Sequence, residues 1–297
     1  MARRPAPPID GVCVVDKPAG WTSHDVVAKA RGILGTRKVG HCGTLDPDAT
    51  GVLVLGVGRA TRLLRFLSES SKAYVGEVVL GSTTSTLDDS GTVTARYDMT
   101  GVTLEAVRAA AGRFVGEIDQ VPPMVSAVKV DGRRLHELAR EGIEIERRPR
   151  RVRIDDIEVD ATEDPAVFRV SVRCGSGTYI RVLAADLGEA LGGGAHLRNL
   201  RRTAVGGFTL AEAHGLDALE LLPMRTVLRQ MPRVDLDDDG VRAVVQGKRI
   251  AAGSGPAEPG SDGPMAAYGP DGDLVAVLEP AGATLRPVVV VAPQPGA

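Results

Sequence analysis

Aromatic side chains make up only 3% of this 297-residue chain: one Trp, four Tyr and four Phe. That scarcity argues against a general single-strand nucleic-acid binder, which stacks successive bases on many rings. Cysteine is as sparse. Cys13, Cys42 and Cys174 form no CxxC pair and leave an odd count, which argues against a disulfide framework and against a structural zinc. The five histidines, at 24, 41, 136, 196 and 214, stand singly with no HxxxH spacing, so no metal site is expected. No run reaches about 18 uninterrupted apolar residues, and no apolar stretch follows the basic start MARRPAPPID. Neither a membrane span nor a signal peptide is therefore expected, and the reducing cytoplasm is the expected compartment. A phosphate-cradling loop is missing too, because GVGRAT after its strand lacks the lysine.

Net charge is the last thing in short supply, at -2, and no partner can be read from the sum. Its distribution says more. From Asp235 onward there are 9 acids against 4 Lys/Arg, leaving 29 acids and 32 bases in the longer part. Basic residues cluster in RRPRRVR (147–153) and HLRNLRR (196–202), runs able to contact phosphates or to form a solvated face balanced by Glu137, Glu141, Glu144 and Glu146. A chain of this length with 43% hydrophobic residues has room for one large core and a smaller one.

VCVVD, VLVLGVG, AYVGEVVLG, RVRIDDIEVD and AVFRVSVRC read as strands. Helices are expected from the Thr22/Ser23 cap to Leu34, stopped at Gly35, over GRATRLLRFLSES, from Thr103 to about Phe114, over TYIRVLAADLGEAL, and at Leu216 to Leu222. STTSTLDDSG looks too polar to pack, the DG pair at 131–132 reads as a hairpin turn, and HLRNLRRTAVGGF as a further strand. Strands and helices alternate without a regular beat, which points to an α+β fold with a mixed, largely antiparallel central sheet flanked by helices. After PRVDLDDDG the composition turns to Gly, Pro and Ser around short strands. The expected division is 1–232 for the main domain and 233–297 for a small β-rich domain.

One loop concentrates chemistry. GHCGTLDPDATG (40–51) holds His41, Cys42, Asp46 and Asp48 among small residues. Proline pushes the residue before it out of the helical region, so Asp46 is presented from a stiff turn. On DPDATG alone a plain turn is the commoner reading. A Cys-His nucleophile pair fails because neighbours in an extended segment point to opposite sides, which leaves Cys42 simply packed. Asp46 remains as a lone carboxylate, nucleophile or base, with Asp48 a second acid or a turn cap. Glycoside hydrolysis uses two carboxylates, but one suffices when the leaving group is kept and reattached.

DKPAGWTSHD, KVGHCGTLDPDATGVLVLGVGRATRLL, KAYVGEVVLG, VPPMVSAVKVDGRRLHELAREG and CGSGTYIRVLAADLGEALGGGAHLRNLRRTAVGGF, in this order over residues 16–208, closely resemble the bacterial TruB family of tRNA pseudouridine synthases. The resemblance implies the pseudouridine synthase fold with a PUA-like C-terminal domain. It implies isomerisation of uridine 55 in the tRNA T-loop by base flipping, cleavage of C1′–N1 and rejoining through C5, with no cofactor. It implies Asp46 as the catalytic aspartate, by a covalent or a glycal route. Tyr74 is implied to stack on the uracil, Tyr179 to contact the base and Arg181 to pair with Asp46, a pairing that lowers a carboxyl pKa. Leu200 is implied to lie at the uracil edge, His41 to fill the space of the extruded nucleotide, Asp88 to contact flipped bases and Lys17 to support core or site.

Ser85 stands where the family often has aspartate, and Thr44 where alanine is common. The short, acidic tail is not expected to dominate binding. The tRNA T-arm is the expected partner of a monomer without obligate protein partners. The alternatives are a non-catalytic tRNA-folding module and an RNA-guided synthase subunit.

Overall fold

A computed structural model describes residues 9–126, 129–130, 132–251 and 263–292. Nine strands form the main sheet. Its spine runs Gly11–Lys17, Thr50–Val57, Ala195–Val205, Lys72–Leu80, Val167–Cys174, Arg150–Ala161 and Gly116–Gln120, with Val39–Cys42 and Phe208–Thr209 attached at the side. Every pairing is antiparallel except one: Ala195–Val205 runs parallel to Thr50–Val57. The α+β reading holds.

That parallel pairing decides where the loop 43–49 goes. Gly11–Lys17 occupies one edge of Thr50–Val57. The other edge is shared: Val39–Cys42 pairs with residues 54–57, and Arg201 and Arg202 pair with Thr50 and Gly51. The chain therefore leaves the sheet after Cys42 and re-enters at Thr50, beside the strand that displaces it. Gly51 sits at φ +98, where a Cβ would lie 2.1 Å from the Arg202 carbonyl oxygen, so only glycine fits.

The helix Ser23–Leu34 starts at a capping box, Thr22 Oγ1 accepting from the Asp25 amide (3.1 Å) and Asp25 Oδ2 from the Thr22 amide (2.9 Å), and stops at left-handed Gly35. Leu104–Ala111, capped by Thr103, and Ile180–Ala190 also form as expected. Three expectations differ. GRATRLLRFLSES is a 3-10 turn over Gly58–Arg62 followed by a short helix, Leu64–Ser68. The tighter winding accompanies Arg59 bonding Asp10 and the Val291 carbonyl. STTSTLDDSG does pack: Ser82–Thr84 pairs with Val93–Arg96 in a hairpin whose Thr84 is buried, its hydroxyl bonded to the Asp88 carbonyl. At 216–222 only Leu216–Ala218 winds, because Leu222 pairs with Val12 through two backbone hydrogen bonds.

A second sheet of five strands has the order Arg233–Asp235, Met265–Tyr268, Leu274–Ala281, Thr284–Val290 and Ile250–Ala251. It carries a helix the sequence reading missed, Asp238–Val245, capped by Asp237 Oδ1 on the Gly240 amide at 2.7 Å. Ala266, Val277 and Val289 of this sheet share an apolar cluster with Val12, Val14 and Val54 of the main one. No helix among the described residues is long and apolar enough to cross a membrane.

Candidate active site

Asp46 is presented by a turn that buried cations hold from below. Lys17, fully buried at the end of the strand Gly11–Lys17, donates from Nζ to the carbonyls of Pro18 (2.8 Å), Trp21 (2.6 Å) and Pro47 (2.8 Å). Arg202 reaches the Val52 carbonyl at 2.7 Å, Gly43 at 3.1 Å and Thr44 at 3.5 Å. Ser23 Oγ accepts from the Leu45 amide at 2.9 Å. The turn thus closes on its own carbonyl, the Ala49 amide bonding Asp46 O at 3.2 Å, and the carboxyl is left at a cleft.

Arg181, only 4% exposed, grips that carboxyl with two nitrogens, Nε to Oδ2 at 2.9 Å and Nη2 to Oδ1 at 3.2 Å. The guanidinium is aimed by two main-chain acceptors, Thr86 O and Val125 O, each at 2.8 Å. The pairing expected from the sequence is present and pulls the Asp46 pKa down as expected, but burial outweighs it. Burial pushes the Asp46 carboxyl above the usual range; Arg181 pulls it down and Asp88 pushes it up. Even so, 41% of the side-chain surface stays accessible, so Asp46 lies at the floor of a cleft and not in the core.

Two cavities meet at this pair. One, about 430 Å³, is lined by Asp88, Asp48, Val125 and Asn199; the other, about 280 Å³, by Tyr74, Tyr179, Lys72 and Arg202. Asp46, Arg181 and Leu200 line both. Tyr74 is buried, and burial raises its hydroxyl pKa, so it stays protonated at neutral pH. Tyr179 caps the helix that carries Arg181, and buried Gln120 bonds its amide (2.9 Å) and carbonyl (3.3 Å). Asp88 is folded into its own turn, Oδ1 accepting from Thr86 and Ser90, with Oδ2 3.6 Å from Arg181 Nε. Asp48 is exposed and makes no capping bond among the described residues.

His41 stands apart. It lies on the strand Val39–Cys42, its ring edge-on to His24 at 5.4 Å, outside the lining of both cavities. Burial pulls its pKa down and keeps it neutral. Cys42, next to it, is fully buried, as alternation requires. Sequence reasoning missed Lys72 and Arg202 as site residues. The available signal was Lys72 two places before Tyr74, on the same face of a strand. Among the described residues no cluster suits a metal ion.

With this geometry described, the known proteins it is similar to can be compared. Residues 31–180 match the family model described as TruB family pseudouridylate synthase, N-terminal domain. Residues 181–231 match tRNA pseudouridylate synthase B C-terminal domain, and 231–292 match tRNA pseudouridine synthase II, C terminal. A protein of Arthrobacter sp. (strain FB24) named tRNA pseudouridine synthase B is 47% identical over 97% of this chain and 99% of its own length. One of Mycobacterium sp. (strain KMS) with that name is 49% identical over 95% of this chain and 96% of its own. Among solved structures, a chain of a Cbf5-Nop10-Gar1 complex is similar at TM-score 0.76 and 29% identity, covering 96% of this chain and 85% of that one. A chain of an H/ACA RNP bound to a substrate RNA containing 2′-deoxyuridine gives TM-score 0.74 and 26% identity over 96% and 86%.

Proposed function

Because the chain belongs to the TruB family of pseudouridylate synthases, we propose that it isomerises uridine 55 in the T-loop of tRNA, using Asp46 as the catalytic carboxylate. It is a pseudouridine synthase, an isomerase. The observation that carries the Asp46 assignment is its position at the junction of two cavities, gripped by an arginine whose remaining bonds go to main-chain carbonyls.

The target base leaves its stack, at a cost of a few kcal/mol, and enters the smaller cavity against Tyr74, Tyr179 and Leu200. The C1′–N1 bond breaks, the base turns, and C5 bonds to C1′ as its proton is lost. Nothing is oxidised or reduced, so the reaction consumes no cofactor. Asp88 and the larger cavity lie where the neighbouring nucleotides pass. His41, which lines neither cavity but stands two residues before Gly43 of the smaller one, acts on the loop from which the base departs. Residues 1–232 are the catalytic domain in this reading, and 233–297 a small acidic module that does not dominate RNA affinity. The protein acts as a cytoplasmic monomer.

The likeness to chains of Cbf5 and H/ACA assemblies favours one second reading, an RNA-guided subunit. One assay separates them. A T-arm stem-loop tritiated at uridine C5 is expected to release tritium when the purified chain alone is added. No release without a guide RNA and further proteins would favour the second reading.

Tyr74→Phe and Tyr74→Leu divide the ring's work. Stacking is worth about 1–3 kcal/mol per base, so the leucine variant is expected to bind the T-arm more weakly and turn over slowly. The phenylalanine variant is expected to keep affinity and lose turnover only. Equal affinity in both would remove Tyr74 from stacking.

A further inference from the structure

The strand Lys72–Leu80 buries Lys72, Tyr74, Gly76, Val78 and Leu80 on one face, so a lysine occupies a place in an otherwise apolar row. Its side chain has no carboxylate partner among the described residues. Lys72 Nζ donates only to the carbonyls of Ser68 and Ser70, each at 3.0 Å, which leaves one of three N–H groups unused. Burial pulls its pKa down, as it does for an ammonium without a counter-anion. The thiols nearby supply no anion, since burial pushes Cys42 up and Cys174 to about 11. Arg202, 1% exposed, bonds the carbonyls of Val52, Gly43 and Thr44 and has no carboxylate partner among the described residues either. Both cations line the 280 Å³ cavity that holds Tyr74 and touches Asp46.

Burying uncompensated cations is expensive, and a site retains them where an anion forms. We propose that Lys72 is a catalytic residue whose ammonium, backed by Arg202, receives the negative charge that leaves with the base. This rests on the reading of Asp46 as the group that opens the nucleoside. When C1′–N1 breaks, its electron pair goes to N1 and spreads onto O2 and O4. In the covalent route an Asp46 oxygen bonds C1′ at the same time; in the glycal route Asp46 takes the C2′ proton. Either way one negative charge moves from Asp46 to the base. C5 of that anion then bonds C1′ and displaces the Asp46 carboxylate, or adds to the glycal as protonated Asp46 returns its proton to C2′. In both routes the charge goes back to Asp46, and the base then loses its C5 proton while N1 gains one, with no net change of charge. Arg181 is already committed to Asp46, so Lys72 and Arg202 are the cations placed for the departing base.

The test compares single-turnover loss of the N1-linked nucleoside in T-arms carrying uridine or 5-fluorouridine at the target. Fluorine stabilises the departing anion by itself, so a cation that serves this anion matters less there. Lys72→Gln, which keeps N–H donors for the carbonyls but no charge, is expected to slow uridine cleavage about 10²-fold and 5-fluorouridine cleavage at least about tenfold less. Lys72→Arg is expected to recover part of the rate, with T-arm affinity unchanged in both. Lys72→Met repeats the test should Lys72→Gln fold poorly by circular dichroism. Equal slowing on both substrates, or no slowing, overturns the proposal. A wild-type protein inert on the uridine T-arm would instead overturn the reading of function beneath it.

Discussion

Asp46→Asn is expected to lower tritium release from a T-arm stem-loop by at least about 10⁴-fold while leaving RNA affinity unchanged, as befits a group that acts on the reacting atoms. Asparagine keeps the shape and an oxygen for Arg181 Nη2, now 3.2 Å from Oδ1, but it neither bonds C1′ nor takes a proton from C2′. The fold raises this carboxyl's pKa, so the folded chain holds the proton more tightly than the unfolded one does. The stability this contributes is present at acid pH and lost as pH rises through the folded pKa. At neutral pH the charge is thus kept for chemistry, and Asp46→Asn is not expected to lower the melting temperature. The same shift places the acid limb of kcat/KM above the ordinary carboxylate range. Arg181→Lys, which keeps the charge but not the two-nitrogen grip, should move that limb further up. Undiminished release from Asp46→Asn would take the aspartate out of the mechanism.

Much of this was legible in the chain because it is written in local signals. Thr22 and Gly35 bracket a helix by capping chemistry alone, and alternation in AYVGEVVLG places Tyr74 inside. The Asp-Pro turn announces a fixed carboxyl, and the adjacency of His41 and Cys42 rules out a nucleophile pair. What was not legible depends on distant partners. Nothing near Asp46 says that burial outweighs Arg181 in setting its pKa, because that balance belongs to residues 135 positions apart. STTSTLDDSG looked unpackable because its hydroxyls find their acceptors only once the turn around Asp88 has formed. The ring of His41 meets His24, 17 positions away, a contact that no local pattern announces. Lys72 carries no reading in the sequence; only the sheet order, with Val167–Cys174 on one side of its strand and Ala195–Val205 on the other, buries it beside Tyr74.

Lys17→Met is expected to cost the second-largest share of activity, through position alone. The ammonium never touches substrate; it joins the carbonyls of Pro18, Trp21 and Pro47, and so ties the turn after Asp46 to the start of the first helix. Methionine fills the space and leaves the Pro18 and Trp21 carbonyls without their donor, while Pro47 O keeps the Gly20 amide at 3.0 Å. Each unsatisfied group costs about 1–3 kcal/mol before the loop relaxes toward water. A displacement of the carboxyl by about 1 Å is enough for a loss near 10²-fold, expected in kcat with T-arm affinity kept. A pH series separates this from a generic core defect. Burial pulls the Lys17 pKa from 10.5 to about 8. Between those values the unfolded chain carries a proton that the folded chain has released, so stability from this group rises with pH across the window. The methionine variant has no such group. The gap in unfolding free energy between wild type and Lys17→Met is therefore expected to widen from pH 7 to pH 10, by at most about 3 kcal/mol for a shift of this size. A gap that stays constant or narrows would mean that Lys17 keeps an ordinary pKa in the fold, and that its three carbonyls are held by something other than a strained, fully enclosed charge.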